Sequence, residues 1–156
     1  MALIIEAPNE IYSLKNNGNV KLFLAGGITN CPDWQKEVIE ELKIIDNLTI
    51  YNPRRANFPI GDPDAAEQQI TWEFNQLRDA DIVIFWFSRG SLNPIVLYEL
   101  GMWGNSNERP ILIGIDPEYE RKQDVVIQTT LARPEVPIFD SLKDMVDAVF
   151  DAFEKH

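Results

Sequence analysis

The sequence predicts an α/β protein with a doubly wound, flavodoxin-like parallel sheet of five strands, in the order 2-1-3-4-5, with helices on both faces. Two observations predict this class. Short apolar runs rich in β-branched residues alternate along the chain with stretches of helical periodicity, which is typical of parallel βαβ units. The run from Ile82 to Phe87 is apolar at every position, as expected for a strand that helices cover on both sides.

The predicted elements follow one another from the first core strand to a final helix. Strands are predicted at residues 20–25, 48–51, 82–87, 111–115 and 136–139, and helices at about 32–45, 64–78, 94–103, 119–131 and from 140 onwards. In the second helix, the apolar spacing predicts a buried stripe of Ala66, Ile70, Phe74 and Leu77. Residues 1–19 are predicted as an N-terminal extension or an edge strand. We expect one domain over residues 1–156.

The composition argues against several classes of function. A formal charge of -11 is unfavourable for binding a nucleic-acid polymer, although a single nucleotide needs only a local positive patch. No apolar run reaches the length of a membrane span, and the N-terminus lacks a basic segment followed by an apolar one. Cys31 is the only cysteine and has no partner for an internal disulfide. We therefore expect a cytoplasmic protein that does not bind membranes.

The single histidine narrows the chemistry further. It is His156, the last residue, which excludes serine–histidine–aspartate triads and histidine-based zinc sites. We expect neither a metal nor another cofactor. Carboxylates, tyrosines, lysines or backbone groups must then carry any acid–base catalysis. Cys31 as a nucleophile would lack the base that usually activates it.

One carboxylate is distinguished by its apolar surroundings. After the strand at 82–87, Asn93 is predicted to cap a helix that Pro94 begins and Gly104 ends. Glu99 is the only charged residue of that helix, and its neighbours one turn away are Ile95, Val96, Met102 and Trp103. A carboxylate surrounded by apolar side chains must be paired with a cation, hydrogen-bonded or protonated. We interpret it as a functional carboxylate; the alternative is a structural glutamate that finds a partner across the core.

The predicted strand order brings further candidates to one crevice. The first and third strands are neighbours in that order, and ligands bind between the carboxyl ends of such strands. Gly26 and Gly27 follow the first strand and precede a helix, which is typical of a ligand-binding loop or of a plain tight turn. Arg54 and Arg55 lie in a long loop and either form an anion site or pair with surface acids. Glu73 faces either a cleft or the solvent.

Several stretches of the sequence resemble the nucleoside 2-deoxyribosyltransferase family, and the nearest branch is the 2-deoxyribosyltransferase-like one. They are FLAGGI, the W-Q that follows it, WE…LRDADIVIFW and YELGMW, and the resemblance extends roughly over residues 20–142. It implies a covalent, retaining mechanism in which Glu99 attacks C1′ of the deoxyribose and displaces the nucleobase. It also implies that Glu73 orients the sugar or handles the proton of the base.

The resemblance extends to the residues around the substrate. It implies that Ala25, Gly26 and Gly27 line the floor under the nucleoside and that family members form homo-oligomers, dimers or larger. Asn93 stands where the family has an aspartate, and it is expected to contact the substrate without acting as an acid. The asparagine that a neighbouring subunit contributes in the family has no counterpart around Glu135.

Three functions follow from these observations. The first is transfer of the sugar of a (deoxy)nucleoside to another free nucleobase. The second keeps Glu99 as nucleophile but uses water as the acceptor, which gives a nucleoside or 5′-nucleotide N-glycosidase; a phosphate bound by Arg54 and Arg55 would favour it. The third is a non-catalytic nucleotide-binding module, for which the missing second acid is the argument.

Overall fold

The computed structural model describes residues 1–10 and 17–155, so His156 lies outside the described residues. In the described part, the sheet has six strands: β1 (Leu3–Glu6), β2 (Val20–Gly26), β3 (Leu48–Asn52), β4 (Ile82–Phe87), β5 (Ile111–Ile115) and β6 (Ile138–Phe139). The same part of the chain has five helices: α1 (Trp34–Leu42), α2 (Pro63–Asp79), α3 (Pro94–Trp103), α4 (Lys122–Ala132) and α5 (Leu142–Glu154).

The strands form one parallel sheet in the order β1-β3-β2-β4-β5-β6. The predicted fold class is confirmed, because the five predicted strands are β2 to β6 and lie in the order 2-1-3-4-5. The N-terminal strand β1 extends the sheet beside β3, where Ile4 pairs with Ile50. Residues of the predicted N-terminal segment thus form an edge strand.

The core consists of two apolar layers, one on each face of the sheet. Alternation along β2 sends Leu22 and Leu24 into one layer and Phe23 and Ala25 into the other. The first layer is completed by side chains from α1 and α5, and the second by side chains from α2, α3 and α4. Helices therefore cover both faces, as the apolar run of β4 predicts.

The predicted buried stripe of α2 is correct at Leu77 and wrong at its other three positions. Ala66, Ile70 and Phe74 are exposed, and the buried residues of the helix are Ala65, Trp72, Gln76 and Leu77. Trp72 explains the difference, because its indole packs against the rings of Phe23 and Tyr51 and donates a hydrogen bond to the carbonyl of Asn9. The largest side chain of the helix sets its rotation, and Glu73 then faces the edge of the sheet.

The register of the central strands brings two loops together at one edge of the sheet. Gly26, at the end of β2, pairs with Trp86, close to the end of β4. The glycine turn after β2 and the polar loop after β4 therefore begin side by side, as the predicted strand order requires. In the described part of the chain, no helix is long and apolar enough to cross a membrane.

Candidate active site

A cavity of about 250 Å³ lies at the carboxyl ends of β2 and β4. It brings together six of the eight predicted site residues: Ala25, Gly26, Gly27, Glu73, Asn93 and Glu99. The rest of its wall consists of Phe23, Ile28, Thr29, Pro53, Ser91, Pro94, Ile95 and Val96. Arg54 and Arg55 do not line it. The site therefore draws on β2, α2, α3 and three loops that only the folded chain brings together.

Glu99 enters the cavity from α3 with one oxygen unsatisfied. Its Oε2 atom is buried and has no hydrogen-bond partner among the described residues. Burial, followed by the nearby charge of Glu73, raises the pKa of Glu99 to about 8. Of the four apolar neighbours that the helical spacing predicts, Val96 is buried and Trp103 half-buried, whereas Ile95 and Met102 are exposed. The wall around the carboxyl group is completed by β2.

Glu73 enters the same cavity from α2 and is held by a neighbour one turn earlier. Nε2 of Gln69 donates to Oε1 of Glu73 at 2.9 Å and to the carbonyl of Pro53 at 2.7 Å. Burial raises the pKa of Glu73, and the hydrogen bond from Gln69 opposes this shift. Gln69 is a supporting residue that the sequence interpretation missed, although its spacing of four residues from Glu73 is the signal that could have identified it.

Asn93 fixes the loop between β4 and α3. It adopts a left-handed backbone with φ of 51°, which asparagine tolerates better than most residues. Its Nδ2 atom donates to the carbonyls of Ser88 at 3.2 Å and Ser91 at 3.1 Å, and its Oδ1 atom accepts from Sγ of Cys31 at 3.5 Å. Asn93 occupies the N-cap position of α3 as predicted, but its side chain makes no capping hydrogen bond to the helix. Pro94 and Gly104 lie at the helix ends as predicted.

The paired glycines are required by packing. A Cβ atom on Gly26 would overlap the indole of Trp34, and one on Gly27 would overlap the side chains of Asn93 and Cys31. The carbonyl of Gly27 accepts hydrogen bonds from Nε1 of Trp34 at 3.1 Å and Nε2 of Gln35 at 3.3 Å. The turn is thus fixed on both sides, which makes it a rigid floor for the cavity. The hydrogen bonds by which Trp34 and Gln35 support the turn cannot be predicted from the helical spacing alone.

The two arginines differ in how their guanidinium groups are used. Arg54 donates to the carbonyls of Pro32 at 2.8 Å and Cys31 at 3.0 Å, so it joins its loop to the segment before α1. The guanidinium of Arg55 lies over the ring of Phe58, and its Nη1 atom is buried with no hydrogen-bond partner among the described residues. Substrate binding by either arginine stays a prediction.

Comparisons with known proteins bear on the fold and on the family. The chain is similar to a crystal structure titled as a conserved protein from Enterococcus faecalis V583, with 12% sequence identity and a TM-score of 0.63, over 86% of this chain and 99% of that one. This similarity shows the fold alone. Among curated proteins, none matches the sequence. The model of the family described as nucleoside 2-deoxyribosyltransferase like matches residues 19–119, which contain the whole cavity. The chain belongs to the nucleoside 2-deoxyribosyltransferase-like family.

Proposed function

We propose that this protein cleaves the N-glycosidic bond of a (deoxy)nucleoside through a covalent bond between Glu99 and the sugar, and transfers the sugar to another nucleobase. One observation carries the proposal. Glu99 has a buried carboxyl oxygen without a hydrogen-bond partner among the described residues, in a cavity whose floor is a rigid glycine turn. A buried polar group without a partner is costly to the fold, and such groups are concentrated at functional sites.

The first step makes one bond and breaks another. A carboxylate oxygen of Glu99 attacks C1′, and the electron pair of the C1′–N bond passes to the ring nitrogen of the leaving base. Glu73 supplies the proton that this nitrogen takes up, which its raised pKa favours. Asn93 is not a candidate for this role, because an amide is not an acid and both of its amide hydrogens already hold the loop.

The second step restores the enzyme. The nitrogen of an incoming base attacks C1′ from the face that the leaving base occupied, and its proton passes to the Glu73 carboxylate. The ester bond to Glu99 then breaks, so that two inversions leave the configuration at C1′ unchanged. Because the two carboxyl groups interact, they titrate as a pair, and the reactive form of the pair holds one proton.

An exchange assay tests the proposal. The protein is mixed with a deoxynucleoside and a second free base, and chromatography follows both the released base and the new nucleoside. Formation of the new nucleoside, with retained configuration, supports transfer. Ligand-induced stabilisation of the protein without either product would instead support the non-catalytic binding module.

A second candidate function uses water as the acceptor and a 5′-nucleotide as substrate. It is favoured by the unpartnered Nη1 atom of Arg55, which lies in the loop that also supplies Pro53 to the cavity wall. A guanidinium nitrogen without a hydrogen-bond partner is suited to a phosphate. Release of base from a deoxynucleotide without exchange, and its loss in Arg55→Gln, would favour this N-glycosidase over the transferase.

The proposal includes a homo-oligomer in which a second copy covers α3. A helix that is apolar around its whole circumference is usually buried, yet Ile95, Tyr98 and Met102 are exposed. Phe74 of α2, which packs against the ring of Trp103, continues the same surface.

Light scattering should find a dimer or larger, and Tyr98→Glu should dissociate it. A monomeric wild-type protein would contradict this part of the proposal.

A further inference from the structure

The cavity of Glu99 is acidic and has no positive charge to balance it. Among the described residues that line it, Glu73 and Glu99 are acidic and none is basic. Arg54 and Arg55 lie in the adjoining loop but do not line the cavity, and Arg54 donates through its guanidinium to backbone carbonyls and to Oε1 of Gln35. A positive charge inside the lining must therefore come from the ligand.

Apart from Glu73, the cavity has few groups that could protonate a leaving base or donate hydrogen bonds to it. Both amide hydrogens of Asn93 are used by the loop after β4, and both of Gln69 are used by Pro53 and Glu73. Of the other lining side chains, Thr29 and Ser91 carry hydroxyl groups, which are far too weakly acidic to protonate a leaving base. A substrate that needs no proton would not depend on Glu73 as the single acid of the cavity.

We propose that the preferred substrates of this site are N-glycosides whose heterocycle carries a fixed positive charge at the glycosidic ring system, such as a pyridinium or an N-alkylated purine. This inference rests on the proposed cleavage of an N-glycosidic bond and narrows it to a substrate class. The charged ring would supply the positive charge that the lining lacks, next to the Oε2 atom of Glu99, which has no hydrogen-bond partner among the described residues.

The reaction with such a substrate balances without an acid. Glu99 bonds to C1′, the C1′–N bond breaks, and its electron pair neutralises the positive heterocycle, which leaves as a neutral molecule. Water then attacks C1′, its proton passes to Glu73, and the carboxylate of Glu99 is released. The products are the neutral heterocycle, the free sugar and one proton.

Binding of a matched pair of small rings tests the charge preference independently of catalysis. The probes are 1-methylnicotinamide, which is cationic, and nicotinamide, which is neutral and nearly the same shape, with calorimetry as the readout. We expect the cation to bind at least about tenfold more tightly, and Glu73→Gln to weaken its binding while leaving the neutral ring unaffected. Glu67→Gln, the same change at an exposed position of α2, should alter neither affinity. Equal affinities, or no measurable binding of the cation, would overturn the inference.

Cleavage of a second matched pair tests the substrate class itself. The pair is 7-methylguanosine and guanosine, with the 2′-deoxy forms in parallel, and each rate is divided by the rate with Glu99→Gln because the charged nucleosides also cleave spontaneously. We expect the enzyme-dependent acceleration to be at least about tenfold larger for the methylated nucleosides. Equal acceleration of both would overturn the inference and leave the proposed function intact. Selective binding of the cationic ring without cleavage of any nucleoside would overturn the proposed function but support the cation site.

Discussion

Two cavities on the α2–α3–α4 side of the sheet each contain a buried charged side chain, but only one of these charges is satisfied. The larger cavity, of about 350 Å³ between α3 and α4, contains Arg133, which is 6% exposed. Arg133 donates to the carbonyls of Gly104 at 3.1 Å and Ser106 at 2.9 Å, and its Nε atom donates to Glu135 at 2.8 Å. The smaller cavity contains Glu99, whose Oε2 atom has no partner among the described residues.

The comparison indicates that hydrogen bonding of the ionisable side chain, and not the size of its cavity, distinguishes a structural group from a reactive one. The guanidinium of Arg133 satisfies carbonyls that the end of α3 and the following loop leave without partners, so it stabilises the fold. The Oε2 atom of Glu99 has no partner among the described residues, which costs the fold stability and is expected of a group kept for chemistry. The comparison predicts opposite effects on activity and stability for substitutions at the two positions.

The largest expected effect is on activity at Glu99. Glu99→Gln keeps the shape of the side chain and removes the nucleophile, so kcat/KM for base exchange or release should fall at least about a thousandfold. Glu67→Gln, at an exposed position of α2, should leave the rate unchanged. Steady-state kinetics with chromatographic detection measures both. If Glu99→Gln retains more than a few per cent of the activity, Glu99 is not the nucleophile.

The next effect is on stability at Arg133. Arg133→Ala leaves several carbonyls without their donor and Glu135 without its partner, so the free energy of unfolding should fall by about 4 kcal/mol. Urea denaturation measures this loss. Arg121→Ala, which removes an exposed pair with Asp124, should cost less than about 1 kcal/mol. A comparable loss at both positions would show that the buried contacts of Arg133 are not the stabilising ones.

Most of the fold could be predicted from the sequence because strand and helix patterns are local. The apolar run of β4 and the alternation of elements give a parallel sheet with few possible orders. The face of α2 could not be predicted in the same way, since its apolar residues fit two stripes. Packing of Trp72 against Phe23 and Tyr51 decides between them, and these residues lie far apart in the chain.

The residues of the candidate site also differ in whether a local sequence pattern predicts their role. The helical spacing predicts only part of the apolar surroundings of Glu99, because Ile95 and Met102 are exposed and β2 completes the wall. The predicted strand order brings the glycine turn to the same crevice. The hydrogen bonds of Arg54 cannot be predicted from the sequence around it. Its partners are mainly the backbone carbonyls of Cys31 and Pro32, which a pattern of side chains does not reveal. The hydrogen bonds of Asn93 likewise depend on the left-handed turn before α3.

A third prediction concerns stability at Glu99, where a substitution should stabilise the fold, whereas Arg133→Ala should destabilise it. The pKa of Glu99 is raised to about 8, so the folded state resists ionisation, and wild-type stability should decline as the pH rises from about 4.5 to about 8. Glu99→Gln lacks this penalty and should unfold with a free energy about 2 kcal/mol higher at pH 9, with little difference below pH 4.5. Urea denaturation at several pH values tests this. An equal or lower stability of the variant at pH 9 would mean that Glu99 is paired in solution, as Arg133 is.

The smallest expected effect concerns the interaction between the two carboxyl groups of the active cavity. Glu73 and Glu99 are the titratable side chains among the described residues that line it, and the charge of Glu73 contributes to the raised pKa of Glu99. Removing that charge in Glu73→Gln favours the ionised form of Glu99, so its pKa should fall but stay above 4.5, because burial is the larger cause. Carbon-13 NMR of labelled glutamate carboxyl groups measures the titration directly, with Glu67→Gln as the control on the same helix. A titration of Glu99 that Glu73→Gln leaves unchanged would show that the two groups act independently, and the shared proton that the proposed two-step reaction requires would then be lost.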